Sequence, residues 1–178
     1  MMLNTTTEAY QLLSQLGASE RLLTHVKLVG EAAEILISKF ENMDLQFDAN
    51  LIRLGVAIHD AGKILHPNEL DGPGSLHEPV GEKMLLDHGV QKIVARCCVS
   101  HAQWQHGDLN LEELSVAAAD KLWKGKREAE LELTLIQAIA LQKQIDHWDI
   151  FTMLDDTFEA IAAGGSERLE RSKHVTIS

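Results

Sequence analysis

The sequence predicts an all-α protein, a helical bundle with one domain. Apolar residues recur at three- and four-residue spacing along most of the 178-residue chain, which is typical of helices with one buried face. No segment shows the convincing alternation of a β-strand, and there is no internal repeat or low-complexity linker. The length suits one hydrophobic core, so we expect a single domain over residues 1–178.

The helices can be assigned in order along the chain. Ser19 is the predicted N-cap of the first long helix, over 19–40, and Asp48 caps a second over 49–63. The second helix is apolar nearly all round, which indicates burial in the middle of the fold. A loop with two of the three prolines follows over 63–75. Further helices are predicted over 77–88, 90–102, 111–125, 127–147 and 149–163. The last residues are predicted to form a short helix followed by a frayed tail.

Charge and cysteine content exclude several classes of protein. The formal net charge of −11 repels polyphosphate backbones, so we expect no non-specific nucleic-acid binding. No run approaches the roughly 20 apolar residues that span a bilayer, and the N-terminus does not have the pattern of a signal peptide. The adjacent Cys97 and Cys98 lie in an apolar run and are predicted to be reduced and buried. We therefore expect a cytoplasmic protein without membrane contact.

Nine histidines stand out in a chain with a single tyrosine. Four of them and two aspartates lie in segments whose neighbours favour burial, where an unpaired charge is costly and coordination to a cation offsets that cost. Taken singly, His25 is more typical of a hydrogen-bonded core residue and Asp120 of a carboxylate on a helix surface. Taken together, the six residues predict a binding site for one or two divalent ions of the Fe, Mn, Zn, Co or Ni type. The six residues are His25, His59, Asp60, His77, His101 and Asp120. The other five, His66, His88, His106, His147 and His174, are predicted on the surface.

These residues carry a resemblance to the HD-domain superfamily of metal-dependent phosphohydrolases. The order His25, His59-Asp60, Asp120 is the motif of that superfamily, and HDAGK is similar to its common form. HEPVGEKMLL and VSHAQW resemble the segments in which binuclear members, including the HD-GYP phosphodiesterases, place two further histidines. AADKL resembles the helix with the final aspartate. The resemblance covers about residues 20–127, and no Gly-Tyr-Pro follows His101, which argues against cyclic dinucleotide cleavage.

The resemblance implies a role for each of these residues. His25, His59, Asp60 and Asp120 would hold a first divalent metal ion. Asp60 would bridge to a second, completed by His77 and His101. A metal-bound hydroxide would attack a small phosphorylated metabolite, with a nucleotide as the leading class. Lys63 would contact the phosphate or protonate the leaving group. Asp60 and Lys63 are thus the predicted catalytic residues.

Three further residues are candidates for substrate binding. Lys124 and Arg127 follow Asp120 on one helical face and could reach the mouth of the site, although each also suits a solvated helix end. Trp104, near His101, could stack a base, but tryptophan in a helical protein is more often core. Two alternatives stay open: a diiron oxygenase of the same fold, and a regulatory domain that binds a nucleotide without turnover. The helices over 127–163 could pack on the core or form a homodimer.

Overall fold

The computed structural model describes residues 1–174, which contain α-helices, 3₁₀ turns and no β-strand. The predicted all-α class is therefore confirmed. The α-helical segments are α1 (Thr6–Gln15), α2 (Glu20–Asn42), α3 (Ala49–Ile58), α4 (His77–Asp87), α5 (Lys92–Ala95), α6 (Cys97–Ser100), α7 (Leu111–Leu122), α8 (Ala129–Lys143), α9 (Trp148–Ala163) and α10 (Gly165–Lys173). None of these helices is both long and apolar enough to cross a membrane. The end of the predicted tail, residues 175–178, lies outside the described residues.

The centre of the fold is the packing of α3 between α2 and α7. Asp48 caps α3 through a hydrogen bond from the Leu51 backbone N–H, and Ser19 caps α2 in the same way, both as predicted. Seven of the ten residues of α3 are buried, including every residue from Leu54 to Ile58. At Gly55 an added Cβ would lie 2.9 Å from Cys97 Sγ, so α3 approaches α6 closely.

Two predicted helices are interrupted in the structure. The helix expected over 49–63 ends at Ile58, and a 3₁₀ turn covers Ala61–Ile64. The helix expected over 90–102 is divided into the short segments α5 and α6. In both places the apolar pattern continues through the interruption, so the pattern alone predicts an unbroken helix.

The remaining helices enclose this centre. The helix α1 was not predicted; its capping box of Thr5 and Glu8 is the signal that marks it. After α7 the chain forms α8, which packs on α7, and α9, which packs on α8 and α2. The helix α10 returns across α2 and α9. Helices α8 to α10 therefore contact the core of their own chain.

Candidate metal centre

The turn after α3 carries the central residue of the site, Asp60. His59 keeps helical backbone angles, whereas Asp60 leaves the helix at φ −104° and ψ 17°. The His59 ring donates from Nδ1 to the carbonyl of Val56 at 2.6 Å. Both side chains are buried to 1% exposure or less. The turn thus presents an imidazole and a carboxylate to the same cavity from the middle of the fold.

Four side chains from two helices, α2 and α7, and from this turn form the first group of possible ligands, which we call the first ligand group: His25, His59, Asp60 and Asp120. His25 Nε2 lies 2.7 Å from Asp60 Oδ2. His59 Nε2 lies 3.4 Å from the same oxygen and 3.3 Å from Asp120 Oδ1. Two ligands on one ion, with bonds of about 2.1 Å, lie about 3.0–3.5 Å apart, so the two separations from His59 suit a shared metal. The contact between His25 and Asp60 has the length of a hydrogen bond.

The other oxygen of Asp60 belongs to the second ligand group, formed with His77 and His101. Asp60 Oδ1 lies 3.3 Å from His77 Nε2 and 3.6 Å from His101 Nε2. His77 is at the start of α4 and His101 follows α6, so the two rings reach Asp60 from different helices. The two ligand groups therefore meet at one carboxylate, each on a different oxygen.

The Nδ1 atoms of three buried histidines, which face away from the cluster, all form hydrogen bonds. Nδ1 of His59 bonds to a backbone carbonyl, and Nδ1 of His101 bonds to the carbonyl of Cys97 at 2.9 Å. Nδ1 of His77 bonds to Glu69 Oε2 at 2.8 Å. Metal-ligating histidines characteristically donate their second N–H to a carbonyl or a carboxylate, which fixes the ring and its tautomer. Each Nε2 is consequently left facing the interior of the cluster.

The donor set fits a divalent transition metal. Asp60 Oδ1 and His77 Nε2 are both buried, and neither has a hydrogen-bond partner among the described residues. Leaving such groups unsatisfied costs about 1–3 kcal/mol each, and an ion between them would remove that cost. Imidazole nitrogens mixed with carboxylate oxygens suit Fe, Mn, Co, Ni or Zn better than Mg²⁺, which prefers oxygen.

The charges of the cluster interact strongly. Burial opposes ionisation of Asp60, but the His59 charge and hydrogen bonds from neighbouring histidines hold its pKa well below the usual range. Burial lowers the pKa of His59, yet Asp60 and Asp120 together raise it to about 10. Burial and the adjacent His59 lower the pKa of His101. The carboxylates thus stay ionised and favour positive charge at the centre of the site.

The cluster opens into a cavity of about 540 Å³. Of the predicted residues outside the ligand set, Lys63 and Lys124 line it. Lys63 Nζ also lies 2.9 Å from Asp60 Oδ2, so its charge is next to the first ligand group. The predicted loop contributes Leu70 and Asp71 to the wall.

Two of the residues predicted to bind substrate do not line this cavity. Arg127 does not line the cavity: its guanidinium binds Glu132 at 2.5 Å, Asp155 at 2.5 Å and Glu159 at 2.6 Å, and so joins α8 to α9. Trp104 also lies outside the cavity wall, because its half-buried ring packs against the hydrophobic core.

Trp123 is the tryptophan at the cavity, where its ring meets the ring of His25 edge-on at a centroid distance of 5.0 Å. It is 5% exposed and packs with the core, so its contact with His25 helps to place that ring. The five histidines predicted on the surface are all exposed or half-buried and lie outside both ligand groups.

Sequence reasoning missed several residues of the site. Glu69 is buried and accepts hydrogen bonds from the backbone N–H groups of Leu76 and His77 and from the His77 ring. Its place in a Gly/Pro-rich loop gave no sign of burial. Glu78 was not missed, because its place beside His77 marks it in the sequence as a possible partner of the site or acid; it is buried at the cavity, where Oε1 accepts a hydrogen bond from Gln103 at 2.9 Å. The wall contributed by α10, namely Leu169, Ser172 and Lys173, depends on tertiary packing alone.

Among the comparisons with known proteins, the family model for the HD domain agrees with this architecture. The HD-domain profile matches residues 22–124, which include every residue of both ligand groups. A tRNA (cytidine(56)-2′-O)-methyltransferase of Thermoplasma volcanium is 30% identical over 136 residues, which are 68% of this chain and 37% of that protein. The chain therefore spans little more than a third of that curated relative. No solved structure matches. The profile match over more than half of the chain, together with the His/Asp cluster, shows that the chain belongs to the HD-domain family.

Proposed function

We propose that the protein is a metal-dependent phosphoric ester hydrolase that acts on a small phosphorylated metabolite, with nucleotides as the leading substrate class. The observation that supports this most strongly is the sharing of Asp60 between two ligand groups, one on each carboxylate oxygen. Two such adjacent sites suit in-line displacement at phosphorus, since they can hold the attacking and the leaving oxygens together.

The proposed ligands divide between the two groups. His25, His59, Asp60 and Asp120 would hold one divalent ion, and Asp60, His77 and His101 a second. When bound, such ions lower the pKa of coordinated water towards 7 and neutralise charge on phosphoryl oxygens.

The side chains around the ligands have separate tasks in this proposal. Lys63 lines the cavity beside Asp60 and would bind a phosphoryl oxygen or donate a proton to the leaving group. Glu78, held by Gln103, would accept a hydrogen bond from a hydroxyl or amino group of the organic part. The burial of His59, Asp60, His77 and His101 would limit the access of bulk water to the reacting phosphoryl group.

The methyltransferase relative does not lead us to propose methyl transfer. The match covers 37% of that protein, so its activity as a whole cannot be carried over to this chain. Within residues 1–174 the chemistry is concentrated in the His/Asp cluster and its lysines, which are groups suited to phosphoryl chemistry.

The proposal is tested by assaying protein loaded with Mn²⁺, Fe²⁺, Co²⁺ or Ni²⁺ for release of phosphate or nucleoside monophosphate from a panel of phosphorylated substrates. We expect hydrolysis by the wild type and a loss of at least about a hundredfold in Asp60→Asn, because one change removes a ligand from both groups. His106→Gln, an exposed position outside both groups, is the matched control and should retain activity.

Hydrolysis that is unaffected by Asp60→Asn would contradict the proposal. Absence of turnover across the panel would also contradict it, and tight nucleotide binding under those conditions would indicate a regulatory domain. Substrate-dependent oxygen consumption by the iron-loaded protein, without phosphate release, would indicate a diiron oxygenase instead.

A further inference from the structure

A groove runs between α2 and α9 on the surface of the molecule. Its volume is about 950 Å³, which exceeds the 540 Å³ of the cavity at the metal centre. The helix α9 lies outside residues 22–124, the segment that matches the HD-domain profile. One wall of the groove is therefore an addition to the matched domain.

The shape of the groove suits a helix. Its lining positions recur every three or four residues along both walls, from Glu34 to Asn42 on α2 and from Asp149 to Ala160 on α9. With the rise of an α-helix, the wall formed by α9 is about 16 Å long, or about three turns. A helix that binds between two others lays one face into such a groove.

An apolar side chain lies exposed on each wall. Ile35 of α2 is 42% exposed and Met153 of α9 is 36% exposed, and both line the groove. Neither covers the core of this chain, because α9 buries Leu154 and Phe158 on its other face. The groove therefore offers apolar surface to a ligand from both sides.

An exposed tryptophan adjoins the groove. Trp148, the residue before Asp149, is 66% exposed, and its ring centroid lies 5.2 Å from that of Phe151. Tryptophan and methionine are enriched in protein–protein interfaces relative to the rest of a protein surface. Trp148 and Met153 thus give this part of α9 the composition of an interface.

The charge of the groove is negative. Glu34, Asp149 and Asp156 line it, against the single lysine Lys39. The carboxylate of Glu34 is bound to Arg53 at 2.6 Å. Asp149 and Asp156 form no ion pair within residues 1–174. Two carboxylates beside the apolar side chains are therefore available to cations of a ligand.

These charges favour a basic partner over other occupants. A second copy of this chain would bring the same carboxylates, and copies with a net charge of −11 repel one another. Nucleic acids and anionic membranes are repelled for the same reason. A helix with lysine or arginine on both sides of an apolar stripe would instead complement the groove in charge and in polarity.

We propose that this groove is a docking site for a basic amphipathic helix of a partner protein. The apolar stripe of that helix packs on Ile35 and Met153, and its cations pair with Asp149 and Asp156. The inference is independent of the proposed hydrolase function, because the groove shares no lining residue with the cavity at the metal centre.

The apolar part is tested with a labelled synthetic helix of leucine and lysine, about 15 residues long, titrated with the protein and followed by fluorescence anisotropy. We expect saturable binding to the wild type. Ile35→Gln/Met153→Gln should bind at least about tenfold more weakly, because the apolar side chains that the peptide covers are removed. Leu86→Gln/Ile93→Gln changes two residues of similar exposure outside the groove and should keep the wild-type affinity.

The charged part is tested with the same peptide. Asp149→Asn/Asp156→Asn should bind about three- to tenfold more weakly, since two ion pairs with the peptide are lost. Asp87→Asn/Asp108→Asn makes the same change in net charge at exposed positions outside the groove and should bind like the wild type. A peptide with glutamate in place of lysine should not bind.

Absence of saturable binding by the wild type would overturn the inference, and so would equal losses of affinity in the groove variants and their controls. Sedimentation of the protein alone tests the other occupant: a dimer that Ile35→Gln/Met153→Gln dissociates would place a second copy in the groove and also overturn it. All four substituted groove positions are exposed, so these variants should melt at the wild-type temperature in circular dichroism.

Discussion

Glu69 connects the loop before α4 to the second ligand group. Its two oxygens accept three hydrogen bonds from residues 76 and 77, two from backbone N–H groups and one from the ring of His77. At Gly74, whose φ is +150°, an added Cβ would lie 2.3 Å from Glu69 Oε1, so the loop folds directly over this carboxylate. Glu69 is therefore a positioning residue, because it acts on the site through His77.

Glu69→Gln should weaken binding of metal at the second group. The amide cannot supply the negative charge that orients the His77 ring and raises its basicity, a change that typically costs about 10–100-fold in metal affinity. Calorimetric titration with Mn²⁺ should show one site nearly unchanged and one weakened. Asp71→Asn, in the same loop but at an exposed ion pair, is the control. Two unchanged sites in Glu69→Gln would contradict this role.

Glu113 is a buried carboxylate that the proposed function does not use. It is 1% exposed; Oε1 lies 3.1 Å from Arg96 Nε, and Oε2 has no hydrogen-bond partner among the described residues. Burial raises its pKa, although Arg96 and a hydrogen bond with Ser100 oppose the shift. The folded protein thus favours the protonated form of this residue more than the unfolded chain does.

The consequence is a pH-dependent difference in stability between the wild type and Glu113→Gln. A pKa that is raised on folding stabilises the protein below the unfolded pKa, and this contribution is lost as pH rises through the folded pKa. The free energy of unfolding of the wild type should therefore fall relative to that of Glu113→Gln as the pH rises above about 4.3, the usual pKa of a glutamate. Urea unfolding of both proteins at several pH values measures this difference in the free energy of unfolding. The same trend in Glu41→Gln, at an exposed position of α2, would argue against burial as the cause.

The contact between α4 and the 3₁₀ turn over Ala61–Ile64 places His77 beside Asp60. An added Cβ at Gly62 would lie 1.8 Å from the His77 carbonyl oxygen, and one at Gly81 would lie 2.8 Å from the Gly62 nitrogen. Both clashes are with backbone atoms, which cannot rotate away as a flexible side chain can. Glycine at these positions allows the two elements to meet at the distance that the second ligand group needs.

Gly62→Ala should therefore separate the turn from α4. We expect the free energy of unfolding to fall by at least about 2 kcal/mol, as in other overpacked cores, and the second metal site to weaken. Urea unfolding and metal titration measure the two effects. Gly107→Ala is the control, because an added Cβ there meets no atom within 4 Å. A Gly62→Ala protein with wild-type stability and two intact sites would refute this account.

Helix caps and apolar periodicity made most elements predictable, and the exceptions have physical causes. The caps at Ser19 and Asp48 are local hydrogen bonds between a side chain and a backbone N–H three residues on, so the sequence predicts them directly. The break in the helix at Asp60 has no signal in the local sequence, because Ala61 and Gly62 after it are buried like the last residues of α3. Burial on both sides of the turn leaves the apolar pattern uninterrupted, and the pattern then predicts a continuous helix.

For the molecule as a whole, the residues of the His/Asp cluster were predictable from the sequence, and the surrounding cavity wall was not. His/Asp residues in apolar segments can be recognised because burial of such groups needs compensation. Arg127 and Lys124 are both cations close to the end of α7, yet one joins α8 to α9 and the other lines the cavity. Which of them faces the site depends on where α9 and α10 pack, and that packing leaves no local pattern in the sequence.

The proposed ligands join several helices of the molecule, so metal binding should stabilise the whole fold. They come from α2, α4, α7, the turn after α3 and the residue after α6, and no ion can bind the unfolded chain in the same way. At metal concentrations of 100 to 1,000 times Kd, linkage adds about 2.7–4.1 kcal/mol, which raises Tm by about 5–16 °C for a domain of this size. Calorimetric melting with Mn²⁺ or with chelator measures the shift. His106→Gln should show the same rise and Asp60→Asn little or none; an equal rise in Asp60→Asn would place the stabilising ion elsewhere.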